Sequence, residues 1–295
     1  LSVLSVLISQ TDADFSPHFI GWLDRFYGRQ IKDHLERTDL GAKGSFGGKK
    51  DDFEVLKHQP VVFVHGVSDT AGEIMKRSAD FFRKHGYSNA ELYATTYFNG
   101  AQGNALKWAE YSMKCEYVKQ VRAMMISVRL YTGRAIDVVA YSLGVPISRK
   151  AILGGRCVDT GEDLGGPLTS IVDTFVGVAG PNHGVAQQVG PLSVPVCALP
   201  GIPICNQING LYSGICPQQS SFLNDINYSV RYEGQKIFTI ASTSDHIVGF
   251  WVCNQPTSAI AQQDGEKVFQ NGWNHDDVFR KSYDVQLRMV RDHSI

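Results

Sequence analysis

The feature that most restricts what this chain can fold into is the alternation, from residue 59 onward, of short β-branched runs with longer helical segments. "PVVFVHG" (60–66) is apolar until it stops at His65 and Gly66, as a strand covered on both faces does. "GEIMKRSADFFRKHG" (72–86) then places Ile74, Ala79, Phe81 and Phe82 at near-helical spacing and closes on Gly86, a C-terminal stop. The rhythm repeats with a strand at 90–98, a long helix from about 104 to 131, a strand in "AIDVVAYS", a helix to Gly154 and a strand at 171–180. "KIFTIAST" (236–243), "KVFQNGW" (267–273) and a last helix at 276–292 complete it. Parallel strands need crossovers of this length, so the expected architecture is α/β, a doubly wound and mostly parallel sheet with helices on both faces. The chain has no internal repeat, and residues 1–295 read as a single domain.

Two segments fall outside the rhythm. Residues 1–58 read as an N-terminal extension, whose opening run "LSVLSVLISQ" fits either a first strand or, the reading favoured here, the remnant of a signal-peptide core. Residues 181–234 are rich in proline and glycine and carry three of the six cysteines. They read as an irregular insertion or lid, because structureless loops beyond about 15 residues are uncommon in compact domains. A third glycine-rich stretch, "GAKGSFGGKKDD" (41–52), lacks the order of residues that cradles phosphate and reads as a connector.

Composition narrows the partners. A formal net charge of -1 leaves no basic excess for nucleic acid, and no run approaches the roughly 20 apolar residues of a transmembrane segment. Six cysteines without a CxxC pair argue for three disulfides and against a metal site. Many connectivities are open; the pair expected is Cys205 with Cys216, which brackets "CNQINGLYSGIC". Together with the sequon Asn227-Tyr228-Ser229, the cysteines point to a secreted protein.

"AIDVVAYSLGVPISRK" (135–150) puts Ser142 between a buried strand and a helix. Such a strand, sharp turn and helix lifts a serine hydroxyl above the sheet as a nucleophile, although serine also serves simply as a helix cap. The usual turn reads GxSxG; here Ala140 replaces the first glycine, and it is small enough for the turn. In open parallel sheets, sites collect beyond the carboxyl ends of the strands, so a serine hydrolase needs an acid after a later strand and a histidine later still. "KIFTIAST" ends on Ser244 and Asp245, which makes Asp245 the acid; Asn182 offers no carboxylate, Asp173 lies within a strand and Asp225 within the insertion. Of the later histidines, His246 adjoins Asp245 and His293 ends the last helix, whereas His275 lies in the loop before that helix. The bland readings are a strand-end turn for Asp245 and a helix cap for His275. The N–H groups of Leu143 and Val67 are the candidate oxyanion donors, with His65 supporting the loop that carries Val67.

"PVVFVHGVSD", "VVAYSLGVP", "GVAGPNHG", "ASTSDHIV" and the "NH" before the last helix together resemble the class 2 lipase family, small secreted α/β-hydrolases that cleave carboxylic esters. The layout is most similar to animal, nematode-type members, and more distantly to bacterial lipases and an extracellular polyhydroxyalkanoate depolymerase. By position, the resemblance implies a triad of Ser142, Asp245 and His275 with Val67 and Leu143 as oxyanion donors, and neither metal nor cofactor. It implies an ester substrate, with a lipid interface as a transient contact. Leu143, Phe222, Leu223, Phe250 and Trp251 are candidates for an acyl groove or interface rim. The rival readings are a polyester depolymerase and a noncatalytic binding protein of the same fold.

Overall fold

In the computed structural model, residues 14–100, 107, 110–189, 192–270 and 272–295 are described. The apolar run at 1–8 lies outside them. The central sheet runs in the order β1 (Ser45–Phe46), β3 (Leu92–Thr95), β2 (Val61–Val64), β4 (Ile136–Tyr141), β5 (Val172–Val178), β8 (Lys236–Ser242) and β11 (Gly265–Phe269). Every pairing is parallel except that of β1 with β3. The sheet separates two apolar cores, and the two-residue period of a strand distributes its residues between them. Val62 and Val64 enter one core with Phe19 of α1 (Pro17–Glu36), Val121 of α3 (Cys115–Thr132) and Ile147 of α4 (Gly144–Leu153). Val61 and Phe63 enter the other with Phe82 of α2 (Lys76–Lys84), Phe279 of α6 (His275–Arg280) and Met289 of α7 (Tyr283–Asp292). Coverage on both faces is why these strands are continuously apolar.

The N-terminal segment is more than an appendage. Ser16 caps α1 by accepting from the Phe19 N–H, Pro17 occupies its first turn, and Phe19, Leu23 and Leu35 are buried. Of the helix expected at 104–131, residues 104–106, 108 and 109 lie outside the described residues and 111–114 are not helical; α3 begins at Cys115, which a disulfide joins to Cys157 and whose N–H donates to Asp159 Oδ2 at 3.0 Å. The last helix is two, α6 and α7, parted at Ser282, whose hydroxyl donates back to the Val278 carbonyl.

Residues 181–234 contain more regular structure than expected: an antiparallel hairpin of β6 (Ala186–Val189) and β7 (Leu192–Pro195), and α5 (Ser221–Tyr228), capped by Ser220. The expected Cys205–Cys216 disulfide is wrong. The three bonds are Cys115–Cys157, Cys197–Cys205 and Cys216–Cys253, with Cα separations of 5.6, 4.9 and 5.3 Å. The loop between Cys205 and Cys216 closes on itself without a crosslink. Asn206 Oδ1 accepts from the N–H groups of Ile208 and Asn209, and the Leu211 N–H donates to the Ile204 carbonyl. That leaves Cys216 to tie the insertion to the loop after β8. The sequon is also not an open attachment point: Asn227 Nδ2 donates to the Asn182 carbonyl at 2.8 Å and its Oδ1 accepts from Arg149.

Helix α4 is buried between the sheet, α3 and α5 so completely that its basic residues need internal partners. Arg149 Nε meets Glu233 Oε1 at 2.9 Å, and Lys150 Nζ meets Asp225 Oδ2 at 2.7 Å. These pairs hold the helix that follows Ser142.

Candidate active site

The turn after β4 begins at Ser142, which has φ +52°, the left-handed region that a side chain adopts only under constraint. The constraint is close packing. The Ser142 N–H donates to the Val178 carbonyl at 2.8 Å. A Cβ on Gly144 would stand 2.3 Å from the His65 carbonyl oxygen, and one on Gly66 2.9 Å from the Ser142 Cβ. The "HG" loop and the serine turn therefore touch, which only glycine permits at both places. Ala140 is fully buried and paired with Gly177 of β5, so its methyl group is accommodated.

Two chain segments distant in sequence converge on this turn. His275 Nε2 lies 2.9 Å from Ser142 Oγ, and His275 Nδ1 lies 2.7 Å from Asp245 Oδ2. The other oxygen of Asp245 accepts from the N–H groups of Ile247 and Val248, both at 3.0 Å, which fixes the carboxylate. With Nδ1–H donating to the carboxylate, Nε2 is left as the acceptor facing the serine hydroxyl. His275 is the first residue of α6, and the cap of that helix is its neighbour Asn274, which accepts from the Asp277 N–H. Among the described residues, no group accepts from the N–H of Val67 or of Leu143.

His65 is sealed beneath the site. Its Nε2 accepts from the Tyr97 N–H at 3.0 Å, its Nδ1–H donates to the Gly66 carbonyl at 2.7 Å, and its ring stacks on Tyr97. Burial pushes its pKa down to about 3, so it is a neutral strut. His293 lies elsewhere, 3.2 Å from Asp173. Phe222 and Leu223, expected as candidates for the groove, are buried in the core under α5, whereas Trp251 is 45% exposed.

A cavity of about 360 Å³ opens onto Ser142 and His275, walled by Asp69, His246, Asn274, Asp276 and Arg280. A larger cavity, about 720 Å³ between α1 and α3, shares no wall residue with it. Asp69, four residues beyond His65, was not legible as a site residue, because a lone aspartate in a loop carries no periodic signal. Burial, with Asp276 nearby, pushes its carboxyl pKa up to about 7. Folding thus raises this group from about 4 to about 7, so the folded state holds a proton that the unfolded chain has lost. The resulting penalty is absent below about pH 4, grows as pH rises and is complete above about pH 7. Asp69→Asn is expected to raise unfolding stability by roughly 4 kcal/mol at pH 8 and by little at pH 4. Urea titrations at the two pH values check this; equal shifts at both would contradict it.

A sheet of this order, with a serine turn after β4 and a histidine loop after β11, defines an α/β-hydrolase fold. The sequence model of the family described as "Lipase (class 2)" matches residues 58–288, and the chain belongs to that family. No curated protein matches it. Among solved structures, it is similar in fold to Aspergillus fumigatus lipase B, at 14% identity and a TM-score of 0.53 over 81% of this chain and 53% of that one. A Bacillus licheniformis lipase in its propeptide form has 15% identity and a TM-score of 0.51 over 83% and 52%. A structure from work on the metagenome-derived lipolytic enzymes LipS and LipT has 11% identity and a TM-score of 0.51 over 85% and 98%. The chain thus spans about half the length of the first two. All six cysteines are paired, as in an oxidising compartment, and no helix among the described residues is long and apolar enough to cross a membrane.

Proposed function

We propose that the protein is a secreted serine ester hydrolase that cleaves lipid esters, triacylglycerols foremost, through an acyl-enzyme on Ser142. The observation that carries this reading is the continuous hydrogen-bonded line Ser142–His275–Asp245. His275 takes the serine proton as Oγ attacks the ester carbonyl, and Asp245 holds the ring and balances its charge. The unclaimed N–H groups of Val67 and Leu143 receive the oxyanion. His275 returns the proton to the leaving alcohol, and a water activated by the same histidine then releases the acid.

The lipid preference is supported by charge. Residues 184–224 and 247–263 contain no Asp, Glu, Lys, Arg or His. The Cys216–Cys253 disulfide joins the two segments, and the Ala186 N–H donates to the Val248 carbonyl beside Asp245. This uncharged flank exposes Leu199 (79%), Ile215 (85%) and Trp251, and it is where an acyl chain and a lipid surface meet least desolvation cost. Turnover of p-nitrophenyl esters and triacylglycerol emulsions of increasing chain length tests the reading, and activity on emulsified long chains is expected. Activity confined to soluble short esters would remove the lipase assignment, and activity on polyester films alone would make it a depolymerase.

A further inference from the structure

The cavity beside Ser142 has a character opposite to that of the uncharged flank. Its wall carries Asp69, His246, Asp276 and Arg280 in addition to His275. Asp276 is already engaged: Oδ1 accepts from the Tyr141 hydroxyl at 3.1 Å, and Oδ2 lies 3.7 Å from Arg280 Nη2. The Asp69 backbone N–H donates to the Gly66 carbonyl at 3.4 Å, yet among the described residues nothing donates to its carboxyl group. A half-buried carboxyl that lines the same cavity as Ser142 and takes no protein donor is left to water or to a hydroxyl of the ligand.

We propose that Asp69 is a specificity-determining residue that accepts a hydrogen bond from a free hydroxyl on the alcohol portion of the ester, so that the site also takes, and cleaves faster, the partial glycerides that triacylglycerol cleavage leaves. The inference rests on Ser142 being the nucleophile. The alcohol side is assigned by the position of His275, which forms part of this same wall and returns its proton to the leaving oxygen; the alcohol therefore departs past the cavity. An acyl chain placed there would strip water from four ionisable groups, whereas the uncharged segments 184–224 and 247–263 offer it none. A hydroxyl three or four bonds from the leaving oxygen fits within about 360 Å³ and replaces the water that Asp69 would otherwise hold.

The experiment compares kcat/KM for glycerol monobutyrate and n-propyl butyrate, which share the acyl group and differ in the alcohol's hydroxyls. Wild type, Asp69→Asn and Asp69→Ala are each assayed. At pH 8, where the Asp69 carboxyl is ionised, the wild type is expected to prefer the glycerol ester by about tenfold, the scale of one hydrogen bond to a charged acceptor. That preference disappears in Asp69→Ala and is intermediate in Asp69→Asn, which keeps an acceptor oxygen without the charge. Thermal unfolding confirms that each variant is folded, and Asp69→Asn removes a charge that costs stability, so at least one informative variant is secured. A ratio equal in all three proteins, or equal losses on both esters, overturns the inference alone. Failure of the wild type to hydrolyse either ester overturns it together with the assignment of Ser142.

Discussion

Ser142→Ala is expected to lower kcat for p-nitrophenyl butyrate by about 10⁴-fold or more, equivalent to roughly 5 kcal/mol of transition-state stabilisation. The variant should also escape labelling by a fluorophosphonate. Its fold should survive, because the Ser142 backbone is held in its left-handed conformation by the Val178 carbonyl and by contact with Gly66, neither of which uses the hydroxyl. His275→Ala should lose a comparable amount. The double variant should lose little more, since a nucleophile and its base act as one unit. Losses that multiply across the two sites would mean that the 2.9 Å contact between them is not the reacting one.

The largest expected loss of stability is at Glu233. Its carboxylate and the Arg149 guanidinium are both sealed from water, at 0% and 1% exposure. The guanidinium is further held by the Ile226 carbonyl and by Asn227 Oδ1. Glu233→Ala strands a buried cation, at an expected cost of about 4 kcal/mol in urea unfolding. Glu233→Gln, which keeps an acceptor, should cost less. Replacing both partners by apolar residues should recover much of the loss, because the pair's own desolvation disappears with it. A change below about 1 kcal/mol in Glu233→Ala would show that Arg149 finds another route to water. Since Arg149 lies on the helix that begins at Gly144, the damage should also reach the serine turn, and activity should fall at temperatures below the unfolding transition.

What the sequence made legible follows from where the information resides. Strands such as Val61–Val64 and Ile136–Tyr141 were readable because burial on both faces demands unbroken apolar runs, and the resemblance of the five blocks to class 2 lipases pointed to the family. Ser142, Asp245 and His275 were legible as candidates because each follows a strand at the same end of a parallel sheet, and chain order then limits the choice. The start of α3 was misplaced; the groups that meet it there, Cys157 and Asp159, are distant in sequence. Phe222 and Leu223 looked like groove residues, yet α5 turns them into the core.

By itself, then, the sequence determined the alternation of strands and helices and the order of the candidate residues, both of which are local properties of residue type and spacing. Tertiary structure alone decided the distances between Ser142, His275 and Asp245, the pairing of the cysteines, and the chemistry of Asp69. Those depend on which distant groups share a small volume and how much water remains there. Coulombic and desolvation energies are set by that neighbourhood, and spacing along the chain does not encode it.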